Sequence, residues 1–341
     1  MRSRGRAPRF WRHTGALAAI GTAVAVGLAA AFLSIGHSPK PRDVPIAVVG
    51  PPAASKQVEA QAPGAFSARS VPNVDAAEQA IKKRDVYAAV VPGQKGVSQL
   101  LIAPAANNQV AGFMRRTLGQ ATDTNVPKIV DAAPLPAEDS SGLSIGLLVQ
   151  VVMIAGSIGV IGVARLLPHF EASPRQGIVP LTFLCGYGLL LGLLISVIAG
   201  AFGVGTEAKF IDRVLAFTLI SVAVTLSTGA LVALIGPAGA AVTSLLYFVL
   251  GAQISGAGTA PEFLPSFWSW LGRHLPAGAG TTLVRDLFYF PDAATGGSIA
   301  ILAVYAGVGG LVVIGLNALF ARRRARAVDT LAPTPTAKTP A

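Results

Sequence analysis

Residues 15–36 read GALAAIGTAVAVGLAAAFLSIG and contain no Asp, Glu, Lys or Arg. An α-helix needs about 20 apolar residues to cross the hydrocarbon core of a bilayer. A soluble core helix would carry charged residues on its exposed face, and this stretch carries none. The stretch therefore predicts a transmembrane helix near the N-terminus, and it organises the interpretation of everything that follows.

Further apolar stretches come only after a long polar region, residues 37–141. They are long enough to span a membrane, again without charged residues, and they cover residues 142–164, 177–204, 214–235, 238–257 and 298–320. Only 13% of the chain is charged and 52% is hydrophobic. We therefore expect an α-helical integral membrane bundle of six transmembrane helices, five of them within residues 142–320, with one inserted extracytoplasmic α/β domain.

Arginines cluster at both ends of this chain, whose net charge is +11. They flank the first and last apolar stretches: Arg2, Arg4, Arg6, Arg9 and Arg12, then Arg322, Arg323, Arg324 and Arg326. Basic residues next to membrane helices favour the cytoplasmic side and contact anionic lipid. We expect a multi-pass protein of the plasma membrane with both termini cytoplasmic. The lipid bilayer, and not nucleic acid, is the expected partner of this charge.

The two ends of the chain lie outside the membrane bundle in this interpretation. Residues 1–14 form a basic cytoplasmic N-terminus, and residues 321–341 form a disordered cytoplasmic tail. A cleaved signal peptide is the alternative for the first apolar stretch. The stretch is longer than the 7–15 residues typical of a signal sequence, which favours an uncleaved transmembrane anchor.

The polar region 37–141 has the pattern of a small α/β domain. Apolar runs bounded by Gly and Pro predict strands, and amphipathic runs with Asn or Pro at their starts predict helices. The predicted order is β-α-β-α-β-β-α, over residues 45–50, 54–62, 65–71, 73–84, 86–91, 97–103 and 107–120. The only cysteine, Cys185, lies in a membrane stretch, so the domain is expected to be stable from its own core.

No enzyme, cofactor or metal site is predicted. His37 is the only histidine of the polar region, which disfavours a Ser-His-Asp triad. The glycines at 93 and 96 do not fit the G-x-x-x-x-G-K-[ST] pattern of a phosphate-binding loop, which occurs nowhere in the chain. Because the apolar stretches contain no charge, an ion-coupled pathway is also disfavoured, and a hydrophobic or amphipathic cargo fits better.

The segment 260–290 reads APEFLPSFWSWLGRHLPAGAGTTLVRDLFYF. It is too polar to span a membrane, it is rich in aromatics, and prolines interrupt it. Trp and Tyr favour the headgroup level of a bilayer. We expect a broken pair of short helices that lies in or dips into the outer leaflet, acting either as an interfacial anchor or in gating and cargo contact. Its candidate residues are Trp268, Trp270, His274, Pro276, Arg285 and Asp286, the last two at its polar edge.

Together these features resemble the membrane subunit of type-2 ATP-binding cassette (ABC) exporters. The branch in question carries a large external domain and is akin to the phage infection protein (YhgE/Pip) group. The resemblance is carried by the layout of one helix, one domain and five helices, and by three motifs. These are PIAVVG at 45–50, DAAEQAIKKRDVYAAVVPG at 75–93 and FWSWLGRHLPAGAGTTLVRDLFYF at 267–290. The branch often has an acidic residue or Asn after its first strand, where this chain has Gly50-Pro51-Pro52.

The resemblance implies the permease half of an ATP-driven exporter. Such a subunit forms a homodimer or heterodimer of membrane subunits and depends on an ABC-type ATPase subunit in trans. The loop RLLPHFEASPR at 165–175 would then be the ATPase-coupling segment, with a plain solvated turn as the alternative. Its candidate residues are Arg165, His169, Phe170, Glu171 and Arg175.

A second function remains open on the sequence alone. The chain could be a non-transporting cell-envelope membrane protein whose external domain binds a partner as a scaffold or receptor. An adjacent gene for an ATP-binding subunit favours export, and its absence favours the scaffold. Both functions use the same predicted architecture.

Overall fold

The structure, a computed structural model, describes residues 7–37, 39–93, 96–120, 126–166 and 174–331. Six helical stretches within these ranges are long and apolar enough to cross a membrane. They are Thr14–Gly36, Ser144–Gly162, Leu181–Ala201, Phe210–Ile235, Pro237–Ile254 and Gly296–Leu316. The prediction of six membrane-length helices is confirmed at the level of length and composition.

A mixed sheet with its helices lies between the first and second of these helices. After α1 (Ala7–Gly36), its elements are β1 (Val44–Val49), α2 (Pro52–Gln61), β2 (Phe66–Val71), α3 (Val74–Lys82), β3 (Ala88–Gly93), β4 (Gly96–Ile102), α4 (Asn108–Leu118) and β5 (Lys128–Asp131). We call residues 44–131 the α/β unit. Its element order matches the predicted one, with β5 added at the end.

The remaining helices form a bundle. They are α5 (Ser144–Leu166), α6 (Pro174–Ala201), α7 (Phe210–Ile235), α8 (Pro237–Thr243), a π-helical segment (Ser244–Leu250), α9 (Gly251–Ile254), α10 (Ser266–His274), α11 (Pro276–Tyr289) and α12 (Gly296–Leu331). Helices α10 and α11 confirm the broken pair of short helices expected within residues 260–290. The chain breaks between them because Pro276 lacks a backbone N–H, which suits it to the first turn of a new helix.

The sheet has the strand order β2-β1-β3-β4-β5. All neighbouring strands are parallel except β3 and β4, which pair antiparallel. Strand β1 and the first half of β3 are largely buried, as expected for a sheet covered by helices on both faces. Strand β5 was missed because KIVD is short and its residues are mostly exposed, so it lacks a strong apolar pattern.

Successive residues of each strand enter different cores. Ile46 and Val90 pack with α2 and α4 on one face of the sheet. Ala47, Ala89 and Leu101 pack with α3 on the other face. This alternation follows from the two-residue period of a strand, and it gives the α/β unit three layers.

Helix α7 is the centre of the bundle, with 56% of its membrane-length stretch buried. Helices α6 and α12 approach it closely at glycines. A Cβ added to Gly192 would lie 2.6 Å from the backbone nitrogen of Thr218, and one added to Gly309 would lie 2.6 Å from the carbonyl carbon of Leu226. Small residues permit this backbone approach in membrane bundles.

Several helix ends differ from the expected ones. Helix α7 begins at Phe210 instead of residue 214, so Asp212 falls in its first turn, where the helix dipole favours an acidic side chain. Helix α12 continues to Leu331, so residues 321–331 are helical and the expectation of disorder there is wrong. The sequence ARRRARAVDTL is rich in Ala and Arg, which are strong helix formers. The rest of the expected tail, 332–341, lies outside the described residues.

Substitution of Gly309 by alanine tests the close crossing of α7 and α12. The new Cβ would overlap backbone atoms of α7, so the helices must separate, at a cost of about 1–3 kcal/mol. We expect Gly309→Ala to lower the thermal unfolding midpoint of the purified protein in detergent. Gly307→Ala is the matched control, because a Cβ there meets nothing within 4 Å. Equal midpoints for the two variants would contradict the described crossing.

Candidate functional site

The α/β unit meets the helix bundle through the segment that carries α10 and α11. Phe263, 4% exposed, lies in the same core as α2 and α4, where its ring contacts Phe113 edge-on at 5.5 Å between centroids. Phe290, 2% exposed, lies in the core on the α3 face. One aromatic residue thus closes each face of the sheet, and we call this pair the aromatic clamp.

A buried ion pair lies beside the clamp. Arg84 Nη1 donates to Asp286 Oδ1, and the two side chains are 16% and 5% exposed. Arg84 lies two residues after the end of α3, with a left-handed φ of +60°, which is uncommon for a residue with a side chain. Its guanidinium also lies 6.0 Å from the centre of the Phe290 ring. Burial raises the pKa of Asp286, and the charge of Arg84 opposes that rise.

A second polar contact joins Tyr87, just before β3, to Glu262 at the start of segment 260–290. The Tyr87 hydroxyl donates to Glu262 Oε2 at 2.9 Å, and Arg273 Nη2 donates to the other carboxylate oxygen at 2.9 Å. The backbone N–H of Arg42 donates to the Glu262 carbonyl at 2.8 Å. Burial, and next the charge of Glu262, raise the pKa of Tyr87. The phenol therefore stays neutral and keeps the proton that it donates.

A third contact ties the end of α11 to the start of α5. The Tyr289 hydroxyl donates to Asp139 Oδ2 at 2.6 Å. Asp139 Oδ1 accepts from the backbone N–H of Ser144 at 3.2 Å and from its hydroxyl at 2.8 Å. A carboxylate at a helix N-terminus satisfies unpaired backbone N–H groups and complements the helix dipole. Asp139 therefore fixes both helices at one point.

The candidate residues of segment 260–290 divide into two groups. Pro276 is buried, and Arg285 and Asp286 are buried at the junction. Arg285 and Asp286 were expected at a polar edge of the segment. Asp286 instead contacts Arg84 of the α/β unit, and Arg285 contacts the carbonyls of Gly256 and Ala257 in the neighbouring loop. Trp270, 59% exposed, and His274 lie on the surface, with their rings 5.0 Å apart.

Trp268 has a different partner. Its indole Nε1–H donates to the Ser34 hydroxyl of α1 at 2.8 Å. Most of helix α1 is exposed, and Ile35 near its end is buried in the bundle core. Trp268 is therefore one of the few links between α1 and the rest of the chain.

The expected ATPase-coupling loop joins α5 and α6. Arg165 lies near the end of α5 and Arg175 near the start of α6. His169, Phe170 and Glu171 lie outside the described residues. The two arginines thus flank the connection between α5 and α6, as the sequence predicted.

A cleft of about 370 Å³ lies between α7, α11 and α12. Its lining is mainly leucine and isoleucine, with two polar side chains among them. The lining residues are Asp212, Leu215, Ala216, Leu219, Leu283, Leu287, Thr295 and Ile299. Sequence reasoning did not find this cleft, because its walls come from three helices that are distant in the chain.

The junction residues that were not predicted from the sequence share one property. Arg84, Tyr87 and Asp139 lie in or near the polar region, and each pairs with a residue more than 100 positions away. Arg84 ends the predicted helix 73–84, just before the buried strand, and Asp286 was a candidate residue of segment 260–290. Nothing in the sequence indicated that the two would pair.

Neutralising Asp286 tests the buried ion pair. In Asp286→Asn, Arg84 and Arg285 keep their charges in the junction without the carboxylate between them. Breaking a buried pair in this way typically costs about 3–5 kcal/mol. We expect a large drop in unfolding midpoint and faster limited proteolysis of the α/β unit.

The matched control is Asp85→Asn, which removes an exposed pair with Arg69, 49% and 47% exposed. Exposed pairs contribute about 0–1 kcal/mol, so this variant should unfold and be cleaved like the wild type. Similar stability of the two variants would show that the Arg84–Asp286 contact is not a buried pair.

Comparison with known proteins gives no family assignment. No protein-family model, no curated protein and no solved structure matches this chain. The function therefore has to be inferred from the junction, the cleft and the charge pattern of the chain itself.

Proposed function

We propose that this chain is the permease subunit of an ATP-driven exporter of a hydrophobic or amphipathic cargo. The observation that carries this proposal is the cleft between α7, α11 and α12. One of its walls, α11, is the helix that the α/β unit holds through Asp286 and the aromatic clamp. A displacement of the α/β unit would therefore change the shape of the cleft.

The lining of the cleft fits an amphipathic molecule. Leu215, Leu283 and Leu287 offer apolar contact along its length. Asp212, in the first turn of α7, and Thr295, just before α12, offer polar contact. Ligand pockets are commonly apolar with a few placed polar groups of this kind.

Energy for export would come from a partner. The sequence lacks the phosphate-binding loop pattern, so an ABC-type ATPase subunit in trans is the proposed source. The connection at 165–175 is the proposed docking element, because it is short, carries charges of both signs and contains Phe170. From the resemblance to the membrane subunit of type-2 ABC exporters, we also propose a dimer of membrane subunits.

Orientation follows from the arginine clusters at the two ends. Both termini are proposed to be cytoplasmic in the plasma membrane, since basic residues next to membrane helices are retained on that side. One membrane-length helix, α1, precedes the α/β unit, so this unit would then lie outside. The α10–α11 pair, held against the unit, would lie at the outer side of the bundle.

Reporter fusions test this orientation. Alkaline phosphatase fused at Gln94 should be active, and the same enzyme fused after the C-terminus should be inactive. Fusions of green fluorescent protein at the same sites should give the opposite pattern, which controls for expression. Phosphatase activity at the C-terminus would contradict the arrangement with both ends inside.

Alanine substitution of Phe170 and Glu171 tests the exporter itself. We expect the wild type to co-purify with an ATPase subunit and to stimulate its ATP hydrolysis. The double variant should lose most of this stimulation, because an aromatic anchor in a partner groove contributes much of the binding energy. Its expression and its α/β unit should be unchanged.

The control is Phe202→Ala with Glu207→Ala, in the connection between α6 and α7 on the proposed opposite side. Phe202 is 75% exposed and Glu207 is exposed, so this change should leave ATP hydrolysis intact. Normal stimulation by the first variant would exclude the loop as the coupling element. Absence of any ATPase with the wild type would favour the scaffold or receptor function over export.

A further inference from the structure

A second cavity, of about 190 Å³, lies where the α/β unit joins the bundle. It is lined by the start of α4 at Asn107 and Asn108, by Ser141 and Leu143 before α5, by Gly258, and by Arg285. A single water needs only about 10–15 Å³ of such space, so the cavity can hold a larger group. We call it the junction cavity.

Arg285 is a buried cation without an acidic partner in the described part of the chain. It is 4% exposed, and its guanidinium donates to the carbonyls of Gly256 at 2.8 Å and Ala257 at 3.1 Å. The carboxylate next to it, on Asp286, pairs with Arg84 instead. Of the two neighbouring guanidinium groups, Arg84 pairs with the Asp286 carboxylate and Arg285 does not. Burial, and next the charge of Arg84, lower the pKa of Arg285 to about 10, so it remains charged at neutral pH.

Other groups of the cavity supply hydrogen-bond donors. Asn108 is the first residue of α4, where backbone N–H groups have no partner within the helix. Its side chain is exposed, and Ser141, whose hydroxyl accepts from the Leu143 backbone N–H at 3.4 Å, also lines the cavity. The nearby carboxylate of Asp139 is already bound by Ser144 and Tyr289.

We propose that the junction cavity binds an anion of the phosphate class. A buried charge is normally compensated by an opposite one, and a guanidinium with amide and hydroxyl donors matches the oxygens of a phosphate. The helix dipole of α4 adds to the attraction. The phosphate can belong to free inorganic phosphate or to the headgroup of an anionic phospholipid, because Leu143 directly precedes the membrane-length stretch of α5.

The bound anion would complete the junction. It would neutralise the charge of Arg285 and join α4 of the α/β unit to the loop before α5. Occupancy would therefore stabilise the contact between the unit and the bundle, whatever the cargo. This role is independent of the proposed export function.

The test uses the full-length protein and two probes. Inorganic phosphate is titrated against chloride at equal ionic strength, with the unfolding midpoint in detergent as the measure, since a ligand of the folded state raises it. Phosphatidylglycerol is titrated into phosphatidylcholine nanodiscs, and bound lipid is counted by native mass spectrometry after release. The two probes separate a free phosphate from a lipid headgroup.

Two variants address the cavity. Asn108→Asp places a negative charge at its mouth while suiting the first turn of α4, so the fold should persist. Arg285→Gln removes the buried cation. Gln79→Glu, at an exposed position of α3, adds the same charge away from the cavity and is the control.

We expect the wild type and Gln79→Glu to bind one of the probes alike. Asn108→Asp and Arg285→Gln should bind that probe about tenfold or more weakly, as for loss of a charge-assisted contact. An effect confined to phosphatidylglycerol identifies a lipid headgroup, and one seen with inorganic phosphate identifies the free ion. Equal binding by the wild type and Asn108→Asp, or no binding of either probe by the wild type, would overturn the proposal.

Discussion

The five-stranded sheet has two apolar faces to bury, and residues far along the chain complete both of them. Phe263 enters the core beneath α2 and α4, and Phe290 enters the core beneath α3. Burial of each aromatic ring is worth a few kcal/mol, which is a large share of the stability of a small domain. The sheet therefore cannot leave α10 and α11 without exposing its own core. The α/β unit and this helix pair are coupled by the same contacts that fold them.

The charges of the junction follow from that attachment. Closing the sheet against the bundle buries Arg84, Arg285 and Asp286 together, and buried charges are stable only when they are paired or hydrogen-bonded. The Arg84–Asp286 pair forms across the junction and fixes the position of the α/β unit on α11. The remaining guanidinium rests on two carbonyls and faces a cavity. The cleft, lined by Leu283 and Leu287, and the junction cavity, lined by Arg285, thus lie on different sides of α11.

Local patterns predicted most of the elements. Uncharged apolar runs gave six membrane-length helices, and Asn73 marked the start of α3 by accepting a hydrogen bond from Ala76. Sequence did not reveal that the α/β core is shared, because Phe263 and Phe290 looked like interfacial aromatics of a membrane segment. Nor did it show the partners of Arg84 and Asp139, which depend on contacts between distant positions. The stretch 321–331 was expected to be disordered, although its Ala and Arg residues favour helix.

We infer that the aromatic clamp and the Arg84–Asp286 pair hold the α/β unit and the α10–α11 pair together as one rigid body. Electron spin resonance distance measurement tests it directly, with spin labels on cysteines replacing Gln79 of α3 and Phe267 of α10, both exposed. Cys185, the only native cysteine, is first replaced by alanine. A rigid body gives one narrow distance distribution in detergent and in lipid. A broad or bimodal distribution would show instead that the unit moves freely on the bundle.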